Sequence, residues 1–353
     1  MSMHGARVAP GTPRLRSFWL RRIATLFEII GVFVGGTLLA RLAARSMNLG
    51  IETIRALEPG VEPDFIRLSW SVGANLVLRY GVILGLAFSV GWWHRRRAVA
   101  AYGVTTAGHP LRTHVGLGLL LFAVGGLLPR LLMFLKDYLP LGRGPQHWEL
   151  LQNPGSVGFW LYMAVSSYGL VPILEELFAH GYVQTRLAED FGPPAAILMT
   201  ALFFAFSHRQ YFIASPLGFG MLAAILFSAI LGGYVRYRTG SLLPGILGHA
   251  AGNVPLRGFA QPVVLVLMAL VIVLWREVIA RRGRELRRDL VVPEAVKTSL
   301  PAVVALVIVL VQVLLAPRLL PFTAAIALPS ALLLELWEKR SNGRPHPTGA
   351  LSR

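Results

Sequence analysis

Long apolar runs separated by short polar and basic clusters set the pattern of this chain. Windows of about 20 apolar residues, enough to cross a bilayer as a helix, fall near 22–44, 70–93, 114–135, 157–187, 194–213, 216–236, 241–256, 262–279, 300–316 and 321–338. The pattern predicts an all-α fold, a polytopic transmembrane helix bundle of about ten spans. The polar segment 46–69, with Glu52, Glu58, Glu62 and Asp64, reads as a solvated loop, and the Pro- and Gly-containing segment 139–156 as a linker. The basic stretch RRGRELRRDL reads as a surface helix on anionic headgroups. The polar tail 341–353 reads as disordered. There is no internal repeat of fixed period. Three parts follow: 1–154 with helices one to three and the linker, a core at 155–256 with helices four to seven, and 257–353 with helices eight to ten and the tail.

Composition agrees with the pattern. The 353 residues are 55% hydrophobic and 14% charged, with mean hydropathy +0.60, whereas soluble domains carry about a quarter charged residues. The absence of cysteine excludes disulfides, cysteine-ligated zinc and a thiol nucleophile. The net charge of +17 lies in clusters between apolar runs rather than along one face, so nucleic acid is not an expected partner. With the N-terminus inside, 23 Lys/Arg fall in inside segments and ten outside. That bias predicts an integral protein of the cytoplasmic (inner) membrane, if the source is bacterial, with both termini cytoplasmic. The N-terminal arginines and the run after them lack a small-residue cleavage site and read as an uncleaved first span. Arg79, placed near the outer end of span two, is expected to snorkel.

The informative residues are the polar ones at membrane depth, because charge there is costly and by default serves a pathway, relay or reaction. The stretch GLVPILEELFAHG, Gly169 to Gly181, carries Glu175, Glu176 and His180. On an α-helix Glu176 and His180 share a face and Glu175 looks elsewhere; Pro172 removes a donor and loosens the helix at the Tyr168 carbonyl. A tight turn at 188–194 leads to a span ending in FAFSH, where Phe204 and His208 share a face. Glu175 and His208 each lie 14 residues from that turn, about 21 Å of helix, so a hairpin sets them level. In GSLLPGILGHAAGN, His249 and Asn253 share a face, suited to an oxyanion, a water or a neighbouring helix. Gly248 and Gly252 there would admit a close backbone neighbour. His249 is only about 12 Å past Ser241, so span seven must start below the surface or tilt.

Together EELFAHG, FAFSH and HAAGN, in this order, resemble the CPBP family of intramembrane proteases, which includes the CaaX-processing enzyme for prenylated proteins and many bacterial homologues. The resemblance covers roughly residues 155–256, and the family usually has Arg where this chain has His180. It implies an intramembrane endopeptidase in which Glu175 is the general base for a water held with His208 and His249. Asn253 with a histidine would stabilise the oxyanion, and Glu176, His180 and Phe204 would support the site. Partners would be membrane lipid and a peptide or protein substrate, lipid-modified ones included. Glu175, His208 and His249 are also the candidate ligands for a metal such as zinc. The rival classes are a catalytically degenerate scaffold or immunity-type homologue, motivated by His180, and a proton-coupled transporter, since Glu/His clusters also relay protons.

Overall fold

Every regular element among the described residues is helical. The computed structural model describes residues 15–49, 55, 58, 62–93, 99–145, 156–256 and 258–290. Its helices are α1 (Leu15–Ser46), α2 (Phe65–Trp93), α3 (Leu111–Gly125), α4 (Leu127–Leu135), α5 (Val157–Phe191), α6 (Pro193–Ser207), α7 (Pro216–Thr239), α8 (Leu243–Asn253), α9 (Ala260–Leu274) and α10 (Arg276–Leu290). The expected spans at 300–316 and 321–338 and the tail at 341–353 lie outside the described residues, as does most of the polar loop after α1.

The helix count and the span count differ. Four helices are long and apolar enough to cross a membrane: α1 from Arg21, α2, α5 and α7. The pairs α3–α4 and α9–α10, bent by 42° and 74°, raise the number to six if each is one span. The expected fifth and seventh spans are shorter than a crossing. α6 has 15 residues and α8 has 11, about 22 and 16 Å against a hydrocarbon core of about 30 Å. α6 starts on Pro193 and α8 has Pro244 as its second residue, and the missing donor costs nothing in a first helical turn. α8 stops at Val254, held extended before Pro255. The expected eighth span ends at Leu274, where hydropathy reverses. The basic stretch beyond is the helix α10, joined to the end of α7 by Arg238 Nη1 to Asp289 Oδ2 at 2.9 Å and Tyr234 donating to the same oxygen at 2.9 Å.

The helix that carries Glu175 is not a uniform α-helix. Ala164–Gly169 and Leu177–Val183 are π-helical, one on each side of the α segment Leu170–Glu176. The first widening lies just before Pro172, which has no N–H for the Tyr168 carbonyl. The expected turn at 188–194 narrows to one residue: Ala188–Phe191 stay helical, and Gly192, at φ +79°, reverses the chain alone.

The main apolar core joins α1, α2, α5 and α6 through Ile29, Ile83, Tyr182, Phe191, Ala196 and Met199. A charged knot lies at its edge. Glu28 of α1, 1% exposed, accepts from Tyr182 at 2.7 Å and from Arg186 Nε at 2.8 Å. Arg186 also reaches Asp190 at 2.7 Å, and Arg22 donates to the Asp190 carbonyl at 3.0 Å. Leaving one member of a buried pair alone costs about 3–5 kcal/mol, so this knot pins α1 to α5.

The short helix α8 packs most closely on α3. A Cβ on Gly248 would stand 2.9 Å from Leu121 Cβ and 3.0 Å from the Gly118 carbonyl, so the expected close approach exists there. At Gly252 a Cβ would meet nothing within 4 Å, and the approach expected at that residue is absent. Gly248→Val should therefore separate α8 from α3 at a cost of about 1–3 kcal/mol. Thermal unfolding in detergent should show a midpoint several degrees lower, with Gly252→Ala unchanged within about one degree; equal effects would mean that the α3–α8 contact is not tight.

Candidate functional site

The residues singled out from α5, α6 and α8 converge. Glu175 Oε2 lies 3.8 Å from His208 Nε2 and 3.9 Å from His249 Nε2. The other ring nitrogen of His249, Nδ1, meets Glu176 Oε1 at 3.1 Å. The two neighbouring carboxylates, expected to look in different directions, thus meet the two nitrogens of one imidazole. α8 makes this possible because it lies close against the glutamates of α5. A Cβ at Gly245 would stand 2.7 Å from Glu176 Oε2, so this face of α8 has no room for a side chain.

Hydrogen-bond partners fix the ring protons. His208 Nδ1 is 2.7 Å from the Phe204 carbonyl, which can only accept, so Nδ1 carries the proton and Nε2 presents its lone pair to Glu175. His249 Nδ1 donates to the Glu176 carboxylate, which likewise leaves its Nε2 lone pair toward Glu175. The Phe204 ring packs against both imidazoles, with centroids 4.7 and 5.9 Å away. His180, 1% exposed, has Nδ1 2.7 Å from Gln184 Oε1. The Gln184 amide donates to the Gly233 carbonyl at 2.9 Å. His180 Nε2 is 4.0 Å from Glu176 Oε2, so the nearer partner of Glu176 is His249, not His180. Asn253 Nδ2 donates to the Ser167 carbonyl at 2.9 Å, inside the first π-helical segment, and keeps a second N–H.

Three further residues enter the site. Tyr80 of α2 donates to Glu175 Oε1 at 3.1 Å; one tyrosine in an apolar run gave no signal. Arg130, buried in α4, sends Nη2 to the carbonyls of Ala251, Gly252 and Val254 at 3.1, 2.9 and 2.7 Å. It satisfies the orphan carbonyls at the end of the helix that carries His249 and Asn253, and opposes the negative end of its dipole. A charge inside the run LLPRLLMFL was the signal for it. Arg79, expected near the outer end of its span, is the third. α2 begins at Phe65, which puts Arg79 at its midpoint with about 21 Å of helix on either side.

A cavity of about 930 Å³ holds Glu175, Glu176, His180, His208, His249 and Asn253 on its walls. A smaller one of about 170 Å³ shares Arg79, Glu175, Phe204, His208 and Gln210 with it. Glu175 Oε2 is buried and has no hydrogen-bond partner in the protein. A carboxylate oxygen and two imidazole lone pairs are suitable donors for zinc in kind. Their spacing is not. Bonds near 2.1 Å hold neighbouring donors on tetrahedral zinc about 3.4 Å apart, against 3.8 and 3.9 Å here. Among the described residues no three His, Asp or Glu side chains form a metal-holding group. As placed, the three do not fit a zinc ion.

An all-helical integral membrane protein with a buried Glu–His cluster is the class that fold and site define. Residues 157–255 match the family model of the type II CAAX prenyl endopeptidases, Rce1-like. The match covers under a third of the chain and supports a likeness of that stretch to the CPBP family of membrane proteases. No curated protein and no solved structure matches the chain.

Arg130→Ala should strand three carbonyls at the end of α8. Charged hydrogen bonds contribute about 1.5–3 kcal/mol, so a loss of about 2–4 kcal/mol is expected. Hydrogen exchange should quicken over 249–254 before the rest of the bundle; protection left unchanged there would show that Arg130 does not hold the helix end.

Proposed function

We propose that this protein is an intramembrane endopeptidase that hydrolyses a peptide bond with a water activated by Glu175. The observation that carries the reading is the convergence of Glu175 Oε2 with two imidazole Nε2 atoms at 3.8 and 3.9 Å. These distances are too long for direct hydrogen bonds and leave room for one water about 2.8 Å from each group. Three acceptors exceed the two protons of a water, so one imidazole must carry a second proton to face it.

In the reaction Glu175 takes a proton from the water as its oxygen attacks the peptide carbonyl carbon. The new C–O bond forms and the carbonyl electrons move to oxygen. The second N–H of Asn253 and the protonated imidazole stabilise that oxyanion. When the C–N bond breaks, the proton held by Glu175 passes to the departing amine, and the carboxylate is regenerated. Tyr80 on Oε1 fixes the carboxylate so that Oε2 faces the water. Glu176 holds His249 in its tautomer through Nδ1, and the Phe204 carbonyl does the same for His208. His180, through Gln184, joins α5 to α7 behind Glu176. The family's name points to prenylated proteins; substrates of this chain are taken to be membrane-associated peptides or proteins, lipid-modified ones among them.

Purified protein in lipid nanodiscs should cleave members of a peptide library, and Glu175→Gln should abolish turnover. His208→Ala should cost about 10²–10⁴-fold in kcat and Asn253→Ala about 10²–10³-fold. Full activity in Glu175→Gln would end this reading. Both termini are assigned to the cytoplasmic side from the basic asymmetry. Reporter fusions at Ser2 and Arg353 should both report cytoplasm, and an opposite signal from either would overturn the orientation.

A further inference from the structure

The reaction leaves one charge at the site unused. Arg79 lies at the middle of a 29-residue apolar helix, next to Tyr80, and lines both chambers beside Glu175 and His208. Its guanidinium lies over the Tyr80 ring, 5.6 Å from the centroid, and its Nε is buried with no hydrogen-bond partner in the protein. The nearest catalytic carboxylate is engaged elsewhere: Glu175 Oε1 accepts from Tyr80, and Oε2 faces the two histidines. Among the described residues no Asp or Glu forms an ion pair with Arg79 within 4.0 Å. Two more arginines stand near it. Arg41 of α1 lies within charge–charge range of both Arg79 and Arg209, and Arg209 follows His208 directly. Both are exposed, and neither pairs with a described carboxylate.

A guanidinium at this depth costs several kcal/mol unless an anion answers it, and such residues mark substrate pathways. Its planar fork suits a carboxylate or a phosphate in a two-point contact. The chambers decide between them. Lipid phosphates lie at the bilayer interfaces, whereas Arg79 lines the same two chambers as Glu175 and His208, where a reacting chain would lie. The anion must come in with the chain that reaches Glu175. We propose that Arg79 binds a carboxylate of the peptide substrate, carried within two or three residues of the scissile bond. An extended peptide advances about 3.3 Å per residue, so a group much farther along would leave the chambers Arg79 shares with Glu175. The carboxylate is an Asp or Glu side chain or the chain terminus; Gln210, on the wall of both chambers, supplies a neutral donor beside it. Arg41 and Arg209 form a positive mouth that raises the local concentration of such substrates. This inference rests on the protease reading and names the substrate that reading would select.

The test uses apolar peptides synthesised in matched pairs: free terminal carboxylate against terminal amide, and Asp against Asn at positions flanking the cleaved bond. The wild type in nanodiscs should favour one acidic form by about tenfold or more in kcat/KM, and the pair that shows the preference identifies the source of the carboxylate. Arg79→Gln should erase that preference by lowering kcat/KM on the acidic form to the level of its neutral partner; Arg79→Lys should keep part of it. Thermal midpoints of both variants establish that they are folded. Binding is measured separately, by fluorescence anisotropy of the labelled pairs on Glu175→Gln protein with and without Arg79→Gln. Tighter binding of the acidic form should vanish with Arg79. Equal loss on acidic and neutral peptides, or no preference in the wild type, would overturn the inference while leaving the protease reading intact. If the wild type cleaves no peptide, the protease reading fails, and the binding pairs still decide the role of Arg79.

Discussion

Two adjacent carboxylates inside an apolar bundle must each find partners, and neither can be left charged and alone at several kcal/mol apiece. Three elements are bent to that need. α2 brings a hydroxyl to Glu175 Oε1, and α8 brings one imidazole that faces both carboxylates. α6 stops where His208 can turn its ring back onto its own helix end. Of the four oxygens of these two carboxylates, Glu175 Oε2 is the one that is buried with no hydrogen-bond partner. The chemistry proposed here is the consequence of that one uncommitted oxygen.

Short helices are the means by which polar groups reach mid-depth. A helix that crosses the bilayer hides its polar ends at the interfaces, whereas one of 11 or 15 residues ends inside it and exposes orphan carbonyls there. The end of α8 is closed by the Arg130 guanidinium, and at the end of α6 the Phe204 carbonyl accepts from His208. The same orphan groups that would destabilise an ordinary buried helix end here hold the His208 ring in its tautomer and α8 in its place. The π-helical segments on either side of Leu170–Glu176 fit the same logic. They break the α-helical phase, so the faces occupied by Glu175, Glu176 and His180 differ from those a regular helix would give.

Much of this was legible in the sequence because a charge in an apolar run is a strong signal. Glu175, Glu176, His208, His249 and Asn253 were found that way, and counting residues from the hairpin set Glu175 level with His208. The pairing of Glu176 with His180 was misread in emphasis because the count assumed 3.6 residues per turn, and nothing in ELFAHGYV announces a wider helix. Arg79 was misplaced because hydropathy started α2 five residues late. The count of about ten spans treated every apolar window as a crossing, although hydropathy alone cannot tell a full span from a helix that ends inside. Tyr80 and Gln184 carried no signal, since each owes its role to a contact across the bundle. Gly248 and Gly252 look alike in the sequence, and only packing distinguishes them.

The central claim is that a water, not a protein side chain, attacks the substrate. Single-turnover cleavage in H₂¹⁸O tests it most directly, with mass spectrometry of the products and of the enzyme peptide that contains Glu175. The account predicts one ¹⁸O in the new carboxyl group of the amino-terminal fragment and none in the Glu175 side chain. Label in the Glu175 carboxylate would mean that this residue attacks as a nucleophile through an acyl intermediate, and would contradict the account.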